Sequence, residues 1–213
     1  AAPASDADDI KAKAAAAAKQ RQAQRHVPQC PERILDAPDL VDEFYANVLS
    51  WSANNVLAVA LGSALYLWNA STGAISQLCD AAADGGAADT IITSVRWVRH
   101  ASMANYIAVG TSTASVQLWD VERVKQVREM RGHEARVCAL DWCGPLLSSG
   151  SRDAHIHNHD VRVARHLTSV YAGHEQEVCA LRWSPDGAQL ASGGNDNRLC
   201  VFDAARSGGG GGG

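Results

Sequence analysis

Three histidines, His155, His157 and His159, occupy alternate positions in the sequence SRDAHIHNHDVR. Alternate side chains of a β-strand point to the same face, so a strand here would place all three imidazoles on one side. Imidazole nitrogens commonly bind zinc and copper, which raises the hypothesis of a metal centre. Residues two apart on a strand are separated by about 6.5–7 Å, too far for three rings to reach one ion easily. The spacing therefore favours a structural role, which depends on the surrounding elements.

Those elements belong to a repeat. Four short apolar runs each end on a tryptophan, at Trp51, Trp97, Trp142 and Trp183, with spacings of 46, 45 and 41 residues. Each run is followed by a segment of small residues and then by a third short segment, such as SVQLWD or RLCVFD. A period of roughly 40–45 residues with Gly-His and Trp-Asp dipeptides is typical of a β-propeller with four-stranded blades. The sequence predicts an all-β WD40-type propeller, and another sandwich of short strands is the alternative.

Alignment of the third and fourth repeats gives His159 a place in this fold. His159 aligns with Phe202, as the large planar residue of the third strand. The first two repeats have Trp68 and Trp119 at that position. WD repeats contain a hydrogen-bonded chain of a Gly-His histidine, a strand serine, a turn aspartate and the planar residue, which pairs buried polar groups. Its predicted members are His133, Ser149, Asp153 and His159 in the third repeat and His174, Ser192 and Asp196 in the fourth. The second repeat has Thr113 in place of the aspartate.

Composition argues against several classes of function. The chain has 19 Lys and Arg against 23 Asp and Glu, and its formal net charge of −4 argues against a nucleic-acid surface. The six cysteines form no CxxC pair and several lie within apolar runs, so we expect buried thiols in a reducing compartment. The sequence shows no secretory signal and no apolar run of about 18 residues that would predict a membrane span. No phosphate-binding glycine loop or catalytic carboxylate pair stands out.

The composition also divides the chain. Residues 1–29 are rich in Ala, Lys and Gln without an apolar stripe, which predicts a flexible, partly helical tail. Residues 207–213 are a serine and six glycines, for which we expect a disordered segment. Between them, residues 30–206 form the partial propeller, with units at about 43–80, 90–130, 132–170 and 173–206.

The stretch from about residue 25 to 203 resembles the Cdc20/Fizzy family of WD-repeat proteins, the activator subunits of the anaphase-promoting complex, a ubiquitin ligase. Four segments carry the resemblance: RILDAPDLVDEFY, GHEARVCALDW, SSGSRDAHIHNHDVR and GHEQEVCALRWSPDGAQLASGGNDN. HIHNHDVR looks closer to the Cdc20 branch than to the Cdh1 branch. The family has seven blades, whereas four repeats are visible here and the fourth stops after its third strand. The resemblance implies an incomplete propeller of about four blades that recognises substrates of the ligase.

In the family, the KEN box, a Lys-Glu-Asn degradation motif, docks on the top face of the propeller near the central channel. The resemblance places this site at Glu43 and Phe44, before the first repeat, and at Asn195 and Asn197 in GGNDN. Asparagine offers a donor and an acceptor to such a peptide, and a carboxylate suits its lysine. Family members often have Asp-Tyr in place of Glu43-Phe44, so we expect the carboxylate to be kept and the hydroxyl to be lost. The alternative for GGNDN is a tight turn with positive φ.

A second degradation motif, the destruction box, binds family members in a groove between the first and last blades. The resemblance places Leu35, Asp36 and Trp68 on the first-blade side, where Asp36 would receive the motif's arginine in a charge-assisted hydrogen bond. The last-blade side is not among the four repeats. The alternative for LDAPDL is a turn into a strand, in which Pro38 fixes φ and Asp36 acts as a cap. The two roles are compatible.

The resemblance also implies partners and a location. The partners are subunits of the anaphase-promoting complex, substrates such as cyclins and securin, and mitotic checkpoint proteins, in the nucleus and cytoplasm. We expect a binding protein rather than an enzyme, with no metal, no cofactor, no nucleic acid and no membrane partner. One alternative is a generic WD-repeat scaffold, against which RILDAPDLVDEFY argues. Two others are a non-functional fragment of the activator and a metal-dependent enzyme that uses the three histidines.

Overall fold

The computed structural model describes residues 28–83 and 87–206. The chain divides into two compact units, Ala1–Asp36 and Ala37–Gly213. The described part of the first unit, residues 28–36, consists of bends and irregular backbone without a helix or strand. Apart from residues 28 and 29, the expected helical tail lies outside the described residues, and so does the polyglycine segment at 207–213.

The second unit contains four antiparallel sheets, which we call blades 1 to 4. Blade 1 consists of β1 (Leu49–Trp51), β2 (Val56–Leu61), β3 (Ala64–Asn69) and β4 (Ile75–Asp80). Blade 2 consists of β5 (Ile92–Trp97), β6 (Tyr106–Thr111), β7 (Val116–Asp120) and β8 (Lys125–Met130). Blade 3 consists of β9 (Val137–Cys143), β10 (Leu146–Ser151), β11 (His155–Asp160) and β12 (Leu167–Ala172). Blade 4 consists of β13 (Val178–Trp183), β14 (Gln189–Gly194) and β15 (Leu199–Asp203).

The prediction of an all-β propeller is confirmed, with three four-stranded blades and one three-stranded blade in the described residues. Each tryptophan-ended run is the first strand of a blade, and the strands of a blade pair in chain order. Two short 3₁₀ helices, Ala101–Met103 and Ala204–Arg206, are the helices of the described residues. None of the helices in this part of the chain is long and apolar enough to cross a membrane.

The turns between second and third strands require left-handed backbone in blades 3 and 4. Ala154 has φ 68° and Asn197 has φ 62°, at corresponding places in the two blades. Asparagine tolerates this conformation better than most residues do, because its short amide bonds locally to the backbone. The backbone N–H of Asn197 donates to the carbonyl of Gly194 at 3.2 Å, which closes the turn. GGNDN is therefore a tight turn, as the alternative reading expected.

The hydrophobic core lies between the blades. Three buried clusters are shared in turn by blades 1 and 2, blades 2 and 3, and blades 3 and 4. Each contains the tryptophan that ends a first strand: Trp97, Trp142 and Trp183 are all at most 6% exposed. Because each sheet is buried by its neighbour, the repeats stabilise one another through these interfaces.

Gly150→Ala is expected to lower the free energy of unfolding by about 1–3 kcal/mol, because the added methyl overpacks the interface between blades 3 and 4. A Cβ at Gly150 would lie 2.6 Å from Val178 Cγ1 and 3.0 Å from Val178 Cβ. Gly193 holds the corresponding place in blade 4 and has nothing within 4 Å of its added Cβ, so Gly193→Ala is the matched control. Urea unfolding of both variants tests the prediction, and equal losses of stability would contradict it.

Candidate functional site

The hydrogen-bonded chain predicted for blade 3 is present. His133 Nδ1 lies 2.8 Å from Asp153 Oδ2, and His133 Nε2 lies 2.9 Å from Ser149 Oγ. Ser149 Oγ in turn lies 3.2 Å from Nε2 of His159. Burial opposes ionisation of Asp153, but the bonds from His133 and from two backbone N–H groups hold the pKa of this carboxyl below its ordinary value. The chain connects a turn at the start of β11 to the middle of the blade.

Blade 4 has the shorter version of this chain. His174 Nδ1 lies 3.1 Å from both carboxylate oxygens of Asp196, and His174 Nε2 lies 2.7 Å from Ser192 Oγ. Phe202, which cannot extend the chain, stacks on Tyr171 of blade 3 with ring centroids 4.6 Å apart. The planar residue of the third strand therefore still packs between the blades when it has no hydrogen-bonding atom.

The three histidines of β11 have three different environments. His155 is exposed, and its Nδ1 bonds to a backbone carbonyl of the preceding turn at 2.8 Å. His157 is buried and stacks on His133, with ring centroids 3.8 Å apart. His159 is also buried, and its Nδ1 lies 2.9 Å from Nδ1 of His166. In residues 28–83 and 87–206, no group of three or more His, Cys, Asp and Glu side chains could hold a metal ion.

Burial determines the charge of the two inner histidines. Loss of hydration, with smaller effects from neighbouring imidazoles, lowers the pKa of His157 to about 4 and that of His159 to about 3. Both rings are therefore neutral at neutral pH. The third repeat uses both as packed, uncharged rings, and His159 holds the position that Trp68 and Trp119 have in blades 1 and 2.

A polar cavity of about 480 Å³ opens where the loops leading into β9 and β13 meet the segment before blade 1. It brings together carboxylates, guanidinium groups, amides and a phenol. The lining residues are Glu43, Tyr45, Arg136, Arg152, Gln176, Glu177 and Asn195.

Arg136 organises the acidic side of this cavity. Its Nε and Nη2 donate to the two carboxylate oxygens of Glu177, at 2.7 and 3.0 Å. Its Nη1 donates to Glu43, and its guanidinium lies 5.5 Å from the centre of the Tyr45 ring. The bonds to Glu177 and Glu43 raise the pKa of Arg136 above its ordinary value, although burial opposes this. The thiol of Cys138 donates to Glu177 at 2.6 Å, and burial together with this carboxylate raises the thiol's pKa.

Asn195 organises the amide side. Its Oδ1 accepts a hydrogen bond from the hydroxyl of Tyr45 at 3.0 Å, and its Nδ2 donates to Oε1 of Gln176 at 3.1 Å. The backbone N–H of Asn195 donates to the carbonyl of Glu177 at 2.9 Å, which fixes the β14–β15 turn against the loop before β13. Both functional ends of the amide therefore point to partners that line the cavity.

Asn47 holds the segment that carries Glu43 and Tyr45. Its side-chain amide donates to the carbonyl oxygens of Cys138 at 2.6 Å and Cys179 at 3.2 Å. Its backbone carbonyl accepts from the N–H of Val95 at 2.9 Å. One residue thus attaches this segment to the first strands of blades 2, 3 and 4.

The structure brings some of the predicted KEN-site residues together and leaves others apart. Glu43 and Asn195 both line the cavity, whereas Phe44 and Asn197 do not. Phe44 is 90% exposed and packs edge-on against Tyr45, which itself lines the cavity. Sequence reasoning missed five lining residues, namely Tyr45, Arg136, Arg152, Gln176 and Glu177.

The residues predicted for the destruction box lie in both units. Leu35 and Asp36 belong to the first unit and are exposed there. Trp68 belongs to the second unit, where it is 9% exposed and lies edge-on to Trp51 with ring centroids 6.0 Å apart. Trp51 is 55% exposed, so an aromatic surface is present on blade 1.

A second cavity, of about 580 Å³, opens at the opposite ends of β9 and β13. Arg99 and Arg182 line it, together with Asp141. The carboxylate of Asp141 already accepts two hydrogen bonds from Arg96. None of the predicted site residues lines this cavity, so the candidate site is the smaller one.

Comparison with known proteins identifies a family. The model of the CDC20/Fizzy WD40 domain matches residues 35–208. "Anaphase-promoting complex subunit cdc20" of Dictyostelium discoideum is 54% identical over 84% of this chain and 34% of its own length. "Anaphase-promoting complex subunit cdh1" of the same organism is 45% identical over 86% of this chain and 24% of its own length. The chain thus spans about a third of the curated cdc20 relative, and the higher identity agrees with the prediction of the Cdc20 branch.

Solved structures agree with the fold. A chain in the structure "Crystal Structure of Mitotic Checkpoint Complex" matches with a TM-score of 0.79 and 44% identity, over 87% of this chain and 54% of that one. The designed protein Ika4 matches with a TM-score of 0.59 at 22% identity over 73% of this chain and 88% of that one, a likeness of fold alone. The sequence match, the four blades and the matched structure lead to one conclusion: this chain belongs to the CDC20/Fizzy family of WD40-domain proteins.

Proposed function

We propose that this chain is the substrate-recognition part of an activator of the anaphase-promoting complex, and that it binds the KEN box in the cavity around Glu43 and Asn195. One observation carries the proposal: the cavity gathers the polar groups that a Lys-Glu-Asn peptide requires. The relative named as a subunit of that complex supports it. The activity proposed is binding, without catalysis, cofactor or metal.

The lining residues complement the peptide side chain by side chain. The carboxylate of Glu43 suits the lysine, and the amides of Asn195 and Gln176 suit the asparagine. The exposed guanidinium of Arg152 suits the glutamate by its opposite charge, and it lies close enough to Glu177 to help lower the pKa of that carboxyl. A Lys-Glu-Asn sequence can therefore find an opposite charge or an amide at each position.

The wider function follows from the same proposal. Subunits of the anaphase-promoting complex and mitotic checkpoint proteins are the proposed partners, with cyclins and securin as proposed substrates in the nucleus and cytoplasm. Leu35, Asp36 and Trp68 are the residues proposed for the destruction box on the family resemblance alone. Neither nucleic acid nor a membrane is a proposed partner.

Glu43→Gln and Asn195→Ala are each expected to weaken binding of a Lys-Glu-Asn peptide about five- to tenfold, the effect of losing one charged or amide hydrogen bond. Fluorescence anisotropy with a labelled peptide and the 213-residue chain measures this. Asn54→Ala, an exposed asparagine in the β1–β2 turn, is the control. A peptide with Ala-Ala-Ala in place of the motif should not bind.

Asn197→Gly distinguishes the two roles considered for Asn197. Glycine keeps the positive φ of the turn, so weaker binding would show that the side chain itself contacts the peptide. If the wild-type chain bound the Lys-Glu-Asn and Ala-Ala-Ala peptides equally, the proposal would fail and the generic scaffold would remain.

A further inference from the structure

The guanidinium of Arg136 lies between two carboxylates at the proposed peptide site. All three of its nitrogens are engaged: Nε and Nη2 with Glu177, and Nη1 with Glu43. Glu43 is the carboxylate that we propose for the lysine of the peptide. A cation of this chain therefore already occupies the place of the peptide's cation.

The two contacts of Arg136 are unequal. Glu177 is 6% exposed, accepts two parallel bonds from Arg136 and accepts a third from the thiol of Cys138. Glu43 has a side chain that is 32% exposed and receives one bond from Arg136. A bidentate pair is stronger than a single exposed contact. Displacement of Arg136 from Glu43 would leave its attachment to Glu177 intact.

The backbone around Arg136 is fixed, so any exchange concerns side chains. The carbonyl of Arg136 accepts a hydrogen bond from the N–H of Arg152 at 3.0 Å, which attaches it to the β10–β11 turn. Val137, the next residue, begins β9 and is fully buried. A lysine that approached Glu43 would meet Nη1 of a guanidinium whose other side remains bonded to Glu177.

We propose that Arg136 acts as an internal competitor for the lysine of the bound peptide, and thereby sets the affinity and the charge selectivity of the site. The inference rests on the proposed KEN-box function and adds a regulation to it. Peptide binding exchanges one cation on Glu43 for another, so part of the attraction between peptide and site is already satisfied in the free protein. Removal of the competitor should therefore tighten the binding of peptides that carry the lysine and of no others.

The test compares two peptides on three proteins. One peptide contains Lys-Glu-Asn, and the other has norleucine in place of the lysine, which keeps the length and removes the charge. Arg136→Gln is expected to bind the lysine peptide about three- to tenfold more tightly than wild type, which matches the release of one partly exposed ion pair. Its affinity for the norleucine peptide should stay at the wild-type value. Arg165→Gln, in an exposed loop of blade 3, is the control for a general change in charge.

Arg136→Gln leaves the carboxylate of Glu177 buried without its guanidinium, which could unfold the chain. The double variant Arg136→Gln with Glu177→Gln replaces both charged groups by amides. Thermal unfolding verifies that this variant is folded. The same selective gain for the lysine peptide is expected there.

The outcomes separate the two proposals. Equal or weaker binding of the lysine peptide by folded Arg136 variants, with wild-type binding intact, would overturn the competitor and leave the KEN-box function standing. An equal gain for both peptides would also overturn it, since a competitor acts only on the lysine. If no protein, wild type included, bound either peptide, both proposals would fall.

Discussion

Replacement of Asp141 by alanine is expected to lower the free energy of unfolding by about 3–5 kcal/mol, the typical cost of removing one partner from a buried ion pair. Asp141 is 2% exposed and precedes Trp142 in β9. Its Oδ1 accepts from Nε and Nη2 of Arg96 in blade 2, at 3.0 and 2.8 Å. Its Oδ2 accepts from the backbone N–H of Trp183 in blade 4, at 2.7 Å. One carboxylate therefore joins three consecutive blades, and its loss leaves a guanidinium and a buried N–H unpaired.

Urea unfolding followed by circular dichroism measures the effect of Asp141→Ala. Glu122→Ala, an exposed change on the turn after β7, is the control and should stay within about 0.5 kcal/mol of wild type. The double variant Arg96→Met with Asp141→Leu should lose less stability than Asp141→Ala alone, because it removes both charges and restores apolar volume. A loss below about 1 kcal/mol for Asp141→Ala would show that the carboxylate does not connect the blades.

The role of Asp141 could not be read from the repeat alignment, because it depends on contacts between blades. The residue before each tryptophan is Ser50, Arg96, Asp141 or Arg182. Ser50 accepts from the N–H of Trp97 in the next blade at 3.1 Å, as Asp141 does for Trp183. An arginine side chain has no acceptor, so Arg96 cannot do the same and bonds to Asp141 instead. The signal in the sequence was a carboxylate within the apolar run CALDW.

Features internal to a repeat were accessible from the sequence. The tryptophan-ended runs predicted the first strands, since a fixed period and apolar runs are local properties. The alignment of His159 with Phe202 rests on the same local pattern, and both residues occupy the third strand of their blades, where Phe202 stacks against Tyr171. Their partners lie within one repeat or in its neighbour.

The candidate site was accessible only in part, because it is assembled from loops of several repeats. Glu43 and Asn195 came from the family resemblance. Arg136 and Glu177 hold the same place in GHEARV and GHEQEV, but the repeat alone does not show that their side chains meet. The choice between Phe44 and Tyr45 depends on which way the irregular segment before β1 turns, and irregular backbone has no side-chain period. The hydrogen bonds of Asn47 to blades 3 and 4 fix that direction only in the folded chain.

Acidification from about pH 7.5 to about pH 5 is expected to lower the free energy of unfolding by about 4 kcal/mol through His157 and His159. Burial lowers the pKa of these rings to about 4 and about 3 in the folded chain, from an ordinary value of 6.5. The unfolded chain therefore binds protons first as the pH falls through 6.5. The contribution of the two histidines to the free energy of unfolding is fully present above that pH and is lost progressively down to about pH 3–4. At pH 5 the loss is about 2 kcal/mol per histidine.

The environment of the two rings explains why a proton cannot be accommodated. His157 and His159 are 7% and 1% exposed, with ring centroids 5.9 Å apart, and His133 stacks on the first while His166 contacts the second. The other titratable or charged groups nearby are Asp153 on the turn before β11, His155 at the start of β11 and Arg128 on β8, close to His166. The single carboxylate is already bonded to His133, so a new imidazolium gains little from it.

The directions of the hydrogen bonds also oppose a second proton on His159. A carboxylate only accepts, so Nδ1 of His133 donates to Asp153, and Nε2 accepts from the hydroxyl of Ser149 when it carries no proton. The Ser149 oxygen then accepts from Nε2 of His159, whose Nδ1 must accept from His166. A second proton on His159 would set two N–H groups against each other across 2.9 Å, unless the ring of His166 changed tautomer. Protonation of His159 therefore forces a tautomer change at His166 before this bond can be kept.

His159→Trp tests the predicted acid sensitivity directly. It gives blade 3 the tryptophan that blades 1 and 2 have at Trp68 and Trp119, and it removes one titrating ring. The indole N–H can still donate to Ser149, so the variant should fold, and its loss of stability between the two pH values should fall to about half. Urea unfolding by circular dichroism at both pH values gives the comparison. His100→Gln, an exposed histidine in blade 2, should keep the full wild-type loss. If His159→Trp lost as much stability as wild type on acidification, the buried rings of β11 would not be the groups that sense acid.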